Sequence, residues 1–163
     1  MVQYSQDYNR MADGRRIWMI QASDEAGWNW KKFFDPPHQR PWGGPDWVKS
    51  NSSRKRICEE FRRDDLVFCY QAAPQKAIVG LSKIEEGGAG KKSGSFAFQD
   101  WRMRFNGPPL DRMRQDPVLH DMEKMRVGQG TVFRVSEEQA RRILELCSFT
   151  KEQQVEVQRE WQF

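Results

Sequence analysis

The chain has 163 residues, 31% of them charged, a formal net charge of +4 and a mean hydropathy of −0.89. That is one domain's worth of chain with a thin core, and no stretch approaches the roughly 18 consecutive apolar residues that a membrane span requires. Three scattered cysteines (Cys58, Cys69 and Cys147) and two histidines lack zinc-ligand spacing, so neither a metal nor another cofactor is expected.

Residues 1–15 are polar and aperiodic and read as a flexible arm. They hold no apolar run after their charges, so no secretory leader is expected, and the protein is expected to be cytoplasmic. Residues 16–22 (RIWMIQA) predict a buried strand that ends at Ser23 and Asp24. Residues 26–34 (AGWNWKKFF) suggest a short aromatic and basic helix, and 35–47 (DPPHQRPWGGPDW) must be a loop. From Ser53 to Phe61, Ile57 and Phe61 sit four apart among charges, which predicts a short amphipathic helix.

After a turn at 63–65, residues 66–71 (LVFCYQ) and 77–84 (AIVGLSKI) predict two buried strands joined as a hairpin. A Gly-rich loop follows at 85–95, then an alternating strand over 96–105. Short helical turns are expected over 108–125 and a further strand over 131–135. Ser136 with Gln139 forms a capping-box pattern, and Ala140, Ile143, Leu144 and Cys147 share one apolar face, so a helix begins there. The segment 151–163 (KEQQVEVQREWQF) reads either as an edge strand or as a frayed tail. Scattered strands without regular strand–helix alternation argue for an α+β domain over 16–150, with a small curved mixed sheet.

The order of these segments resembles the EVE domains, a PUA-like group related to the YTH and ASCH domains. IWMIQAS at 17–23 is similar to their opening strand. Trp47 and Val48, a basic helix and FRRDDLVFCYQ at 61–71 resemble the family's tryptophan, helix, turn and apolar strand, with Asp64-Asp65 where the family has Gly-Asp. IVGLSKI at 78–84 and the stretch 109–144 continue the likeness. The resemblance implies a small curved β-barrel of about five or six mixed strands flanked by short helices. It also implies a nucleic-acid partner, DNA or RNA, read through one base, with modified bases such as methylated ones the family's usual ligands. A monomer, working alone or in a larger complex, and no membrane are expected with it.

A pocket for one base needs aromatic walls, a polar floor and cations for phosphate. Trp47 matches the family's pocket tryptophan, Trp42 is its neighbouring alternative, and Trp28 or Phe98 could supply an opposite wall, although alternation favours a core position for Phe98. Ser23, Ser50, Asn51 and Tyr70, with Gln71 beside it, are candidates for the polar floor. Lys49, Arg54, Lys55 and Arg126 are candidates for phosphate contact; a basic run of this kind is usually a solvated face, and its place beside Trp47 gives it weight. The sequence shows no phosphate-binding glycine loop, nucleophile elbow or zinc-deaminase pattern. Catalysis is therefore not expected. The alternatives are a small ASCH-type hydrolase, for which Lys83 with Glu85 or Glu86 is the nearest reactive pair, and a Trp-rich protein-interaction module.

Overall fold

The computed structural model describes residues 4–23, 29–35, 51–86, 97–127 and 130–163. Five strands form one mixed sheet: β1 (Ile17–Ala22), β2 (Leu66–Gln71), β3 (Ala77–Glu86), β4 (Ala97–Arg104) and β5 (Val132–Arg134), in the order β4-β3-β2-β1-β5. β1 and β2 run parallel, and the other neighbours are antiparallel. The helices are α1 (Lys31–Phe34), α2 (Asn51–Glu59), α3 (Leu110–Arg114), α4 (Glu123–Arg126), α5 (Glu137–Leu146) and α6 (Lys151–Trp161). Strand number and mixed pairing are as expected. The expected barrel is, among the described residues, an open sheet, since β4 and β5 are its edges and do not pair with each other.

β1 reads as an unbroken apolar run because it is covered on both faces. On the first face Ile17 and Met19 join Leu66, Phe68, Met113, Phe133, Ile143, Val157 and Trp161. On the second, Trp18, Ile20 and Ala22 join Val67, Cys69, Trp30, Phe33, Ile57, Phe61 and Phe98. Burial of Cys69 and Cys147 pushes both thiols up from their ordinary range, as for cysteines that serve as small apolar side chains.

An ionic cluster lies at the start of β1. Arg134 clamps Glu60 with two hydrogen bonds of 2.7 Å, Arg16 lies 3.4 Å from the same carboxylate, and Asn9 accepts from Arg134 at 3.0 Å. Asp65 accepts the backbone N–H groups of Arg16 and Arg62 and the indole N–H of Trp18, all near 3 Å. The Asp-Asp turn thus keeps its place through a side chain: the second aspartate ties β1 to β2, and Asp64 adopts a positive φ of 70°.

Both termini differ from the expectation. Residues 4–15 lie against the body through buried Asn9 and Met11, and Asn9 also donates to the Ile17 carbonyl at 2.8 Å. The segment 151–161 is α6, with a capping box in which the Thr150 hydroxyl accepts from Gln153 N–H at 3.1 Å. The alternation of Val155 and Val157 mimics a strand, but the helix buries Val157 and Trp161, four apart, and leaves Val155 59% exposed. Trp161 packs edge-on against Phe68 at 5.0 Å, and its indole N–H points to the Ser82 carbonyl at 3.3 Å.

Candidate functional site

Because β1 and β2 are parallel, their C-terminal ends lie side by side: Gln21 pairs with Tyr70 and Ala22 with Gln71. β5 begins at the same edge, where Gln21 N–H donates to the Thr131 carbonyl at 2.8 Å. The start of α2 joins it through Ser53, whose hydroxyl accepts from the N–H groups of Thr131 and Val132 at 3.2 and 3.1 Å. A cavity of about 100 Å³ lies between Ser53, Arg56, Gly130 and Phe133. Gly130 has φ +140°, so a side chain there would be strained by the backbone even though a β-carbon would only touch the Phe133 ring, at 3.4 Å. Arg56 and Glu123 seal the back of this corner. The guanidinium pairs with the buried carboxylate and also donates to the Val132 carbonyl at 3.0 Å, while Glu123 accepts the Arg134 N–H at 3.0 Å.

On the first face Tyr70 is 1% exposed and covered by Lys124. The ammonium lies 4.9 Å from the centre of the Tyr70 ring and 5.0 Å from that of Phe133, and it donates to Gln21 Oε1 at 2.6 Å. Burial, with a smaller contribution from Arg114, lowers Lys124 to a pKa of about 8. Burial raises the Tyr70 phenol to about 12, with Asp111 adding to the shift and Arg114 opposing it. At neutral pH this edge therefore carries a partly buried cation that covers the buried, neutral Tyr70 and holds the Gln21 amide, so Tyr70 supports the edge from below and is not an open floor.

The structure brings Ser23, Tyr70 and the start of α2 at Asn51 to one sheet edge. Lys55 is exposed within α2, and Arg126 is exposed at the end of α4, where its charge acts on the Tyr4 phenol. Trp47, Trp42, Trp28, Ser50 and Lys49 lie outside the described residues, as do the side chains of Asn51 and Arg54. Phe98 is not an open wall: it is fully buried, 5.5 Å from Trp30 and 5.2 Å from Phe33, because its strand position faces the second core. Of the reactive pair suggested by the sequence, Lys83 bonds Glu160 at 3.1 Å and Glu85 pairs with Arg63, while the Glu86 side chain lies outside the described residues. Sequence reading missed Gln21 and Lys124. Gln21 stands out as the one polar residue of IWMIQA, whereas nothing separates Lys124 from the charges around it.

Among the described residues no helix is long and apolar enough to cross a membrane, and no group of three or more His, Cys, Asp or Glu side chains could hold a metal ion.

No family model matches the chain, and no curated protein does. Solved structures do share its fold. Rpa0253 from Rhodopseudomonas palustris is 20% identical, with a TM-score of 0.62 over 80% of this chain and 92% of that one. The human THYN1 protein, in a complex with DNA containing 5-methylcytosine, is 13% identical, with a TM-score of 0.58 over 82% and 98%. An ASCH protein from Zymomonas mobilis is 11% identical, with a TM-score of 0.50 over 82% and 100%. At these identities the likeness is one of fold, and the chain has the PUA-like α+β fold that its segment order implied.

Proposed function

We propose that this protein is a non-catalytic nucleic-acid-binding module of the EVE type that takes a single base at the joint C-terminal edge of β1 and β2. The observation that carries the reading is the convergence at that edge of Ser23, Tyr70, the start of α2 and the start of β5, flanked by Lys55, Lys124 and Arg126. Cations around a strand-end pocket suit a flipped base whose phosphates need neutralising. The THYN1 complex adds support, since a protein of the same fold is held on DNA with 5-methylcytosine. Trp47 enters the chain four residues before α2 and is the proposed stacking wall. Trp42 is its alternative, with Trp28 opposite. Ser50 and Asn51 join Ser23 at the polar floor, and Lys49 and Arg54 join Lys55 and Arg126 along the phosphates. A methylated base is the favoured ligand, because one buried methyl adds on the order of 0.8 kcal/mol.

The test is fluorescence titration with single-stranded and duplex oligonucleotides, with and without 5-methylcytosine, in low and moderate salt. Binding that weakens as salt rises and falls by about tenfold or more in Trp47→Ala is the expected result. No binding to any oligonucleotide at low salt would overturn the reading.

A further inference from the structure

Successive strand residues face opposite ways, so Gln71 points to the second face while Tyr70 points to the first. There it meets α1. The backbone N–H of Trp30 donates to Gln71 Oε1 at 3.0 Å, and the Trp30 indole N–H donates to the Tyr70 carbonyl at 2.9 Å. The first of these bonds fixes the amide's orientation: with Oε1 held by an N–H, Nε2 must turn the other way. Gln71 is 1% exposed, and its Nε2 has no hydrogen-bond partner among the described residues. A buried amide nitrogen left so is unfavourable, and it is rare enough to call for a reason.

A cavity of about 340 Å³ adjoins it, within the range of small-molecule sites. A β-bulge builds one wall. Cys69 pairs with Gly80 but Tyr70 with Ile78, so Val79 is an extra residue and turns to the same side as Gly80. Gly80 cannot carry a side chain there, because a β-carbon would lie 2.2 Å from Phe34 Cζ. Phe34, Val79 and Phe105 give the cavity apolar sides, two of them aromatic, and Lys31 and Arg104 stand exposed at its rim. Arg104 is paired with Asp35 at 2.5 Å, while Lys31 has no ion pair among the described residues.

We propose that this cavity is a second ligand site, distinct from the strand-end edge, for a planar heterocycle that offers a carbonyl or ring-nitrogen acceptor to Gln71 Nε2 and an anionic group to Lys31. A nucleoside monophosphate has that chemistry, either free or as one nucleotide of a strand. The acceptor satisfies the amide that the protein leaves open, the ring lies between Phe34, Val79 and Phe105, and the phosphate reaches the rim. Gln71, a floor candidate beside Tyr70 in the sequence, faces this cavity instead. The inference rests on Gln71 Nε2, Lys31 and the cavity they line, none of which the strand-end proposal uses.

The experiment follows the side-chain amide resonance of Gln71 by ¹⁵N NMR while the four common nucleoside 5′-monophosphates, their nucleosides and inorganic phosphate are added separately to the full chain. At least one monophosphate should shift that resonance saturably, and its nucleoside should do so more weakly. Lys31→Ala should remove most of the difference between the two. Gln71→Glu keeps an acceptor for Trp30 N–H but replaces the donor, and should weaken binding by about tenfold or more. In Trp47→Ala the saturable shift of the Gln71 resonance should persist while oligonucleotide binding falls, which separates this site from the strand-end one. If a single-stranded oligonucleotide displaces the mononucleotide, the natural source is a strand; if it does not, the source is a free nucleotide. An amide resonance unmoved by every monophosphate, or moved as much by inorganic phosphate alone, would overturn the proposal.

Discussion

The Ser53 hydroxyl accepts the backbone N–H of Val132 at 3.1 Å, a bond that joins the first turn of α2 to the first residue of β5, 79 residues apart in the chain. Ser53 is 1% exposed, so water cannot replace it. Ser53→Ala should therefore lower stability by about 1–3 kcal/mol, the range for leaving a buried donor unmet. Urea unfolding would measure it, and an unchanged midpoint would show that the corner repacks.

Glu60 is the shared anion of Arg134 and Arg16, with all three side chains at most 8% exposed. Removing its charge leaves two buried cations facing each other. Glu60→Gln should reduce stability by about 3–5 kcal/mol, far more than loss of a surface pair such as Arg63 with Glu85. Thermal unfolding of the two variants side by side tests the ranking.

Lys124 gives a pH signature with a definite sign. Its folded pKa is about 8, below the usual lysine value, so between pH 8 and about 10.4 the unfolded chain holds a proton that the folded chain has released. Through that window Lys124 favours folding more as pH rises. The buried thiols of Cys69 and Cys147 and the Tyr70 phenol act in the opposite sense, because each keeps its proton in the folded state after the unfolded chain has lost it. The informative quantity is the difference between wild type and Lys124→Met. The variant should gain stability relative to wild type at pH 7, and that advantage should shrink towards pH 10. A difference that is flat with pH would show that Lys124 is not buried as described.

Trp161 carries the docking of α6. It is fully buried against Phe68, so Trp161→Ala should cost about 3–5 kcal/mol. A loose tail would tolerate the change. Hydrogen exchange along 151–161 would separate local undocking of α6 from loss of the whole fold.

Most of the sheet was legible because buried strands carry their own signal. LVFCYQ is buried at every position and has no other reading, and β1, β3, β4 and β5 fall within two residues of their expected bounds. Two helix starts show what was not legible. Ser136 and Thr150 head the same kind of capping box, but α5 follows its box with a clear apolar face, and α6 follows its box with V-E-V. The strand-like pair of valines hid a helix whose docking depends on a tryptophan four residues further on. At the candidate site, Ser23 and Tyr70 read from the sequence as the ends of their own strands, and only the parallel pairing of β1 and β2 brings those ends together. Lys124 could not be found in this way, because its importance arises from the two rings and the amide that surround it, and these come from three other strands.

The strand order also has a consequence for how the chain is made. β1 lies between β2 and β5, and both of those partners are synthesised later. A nascent chain therefore exposes IWMIQA, apolar at five of six positions, until Gln71 has emerged, and its second edge stays unpaired until Arg134 appears. Meanwhile β2, β3 and β4 can zip up as a local antiparallel meander, so the middle of the sequence is the natural nucleus and the first strand the last to be enclosed. During that interval the first strand, rather than any loop, is the segment most open to a chaperone or to a second nascent chain.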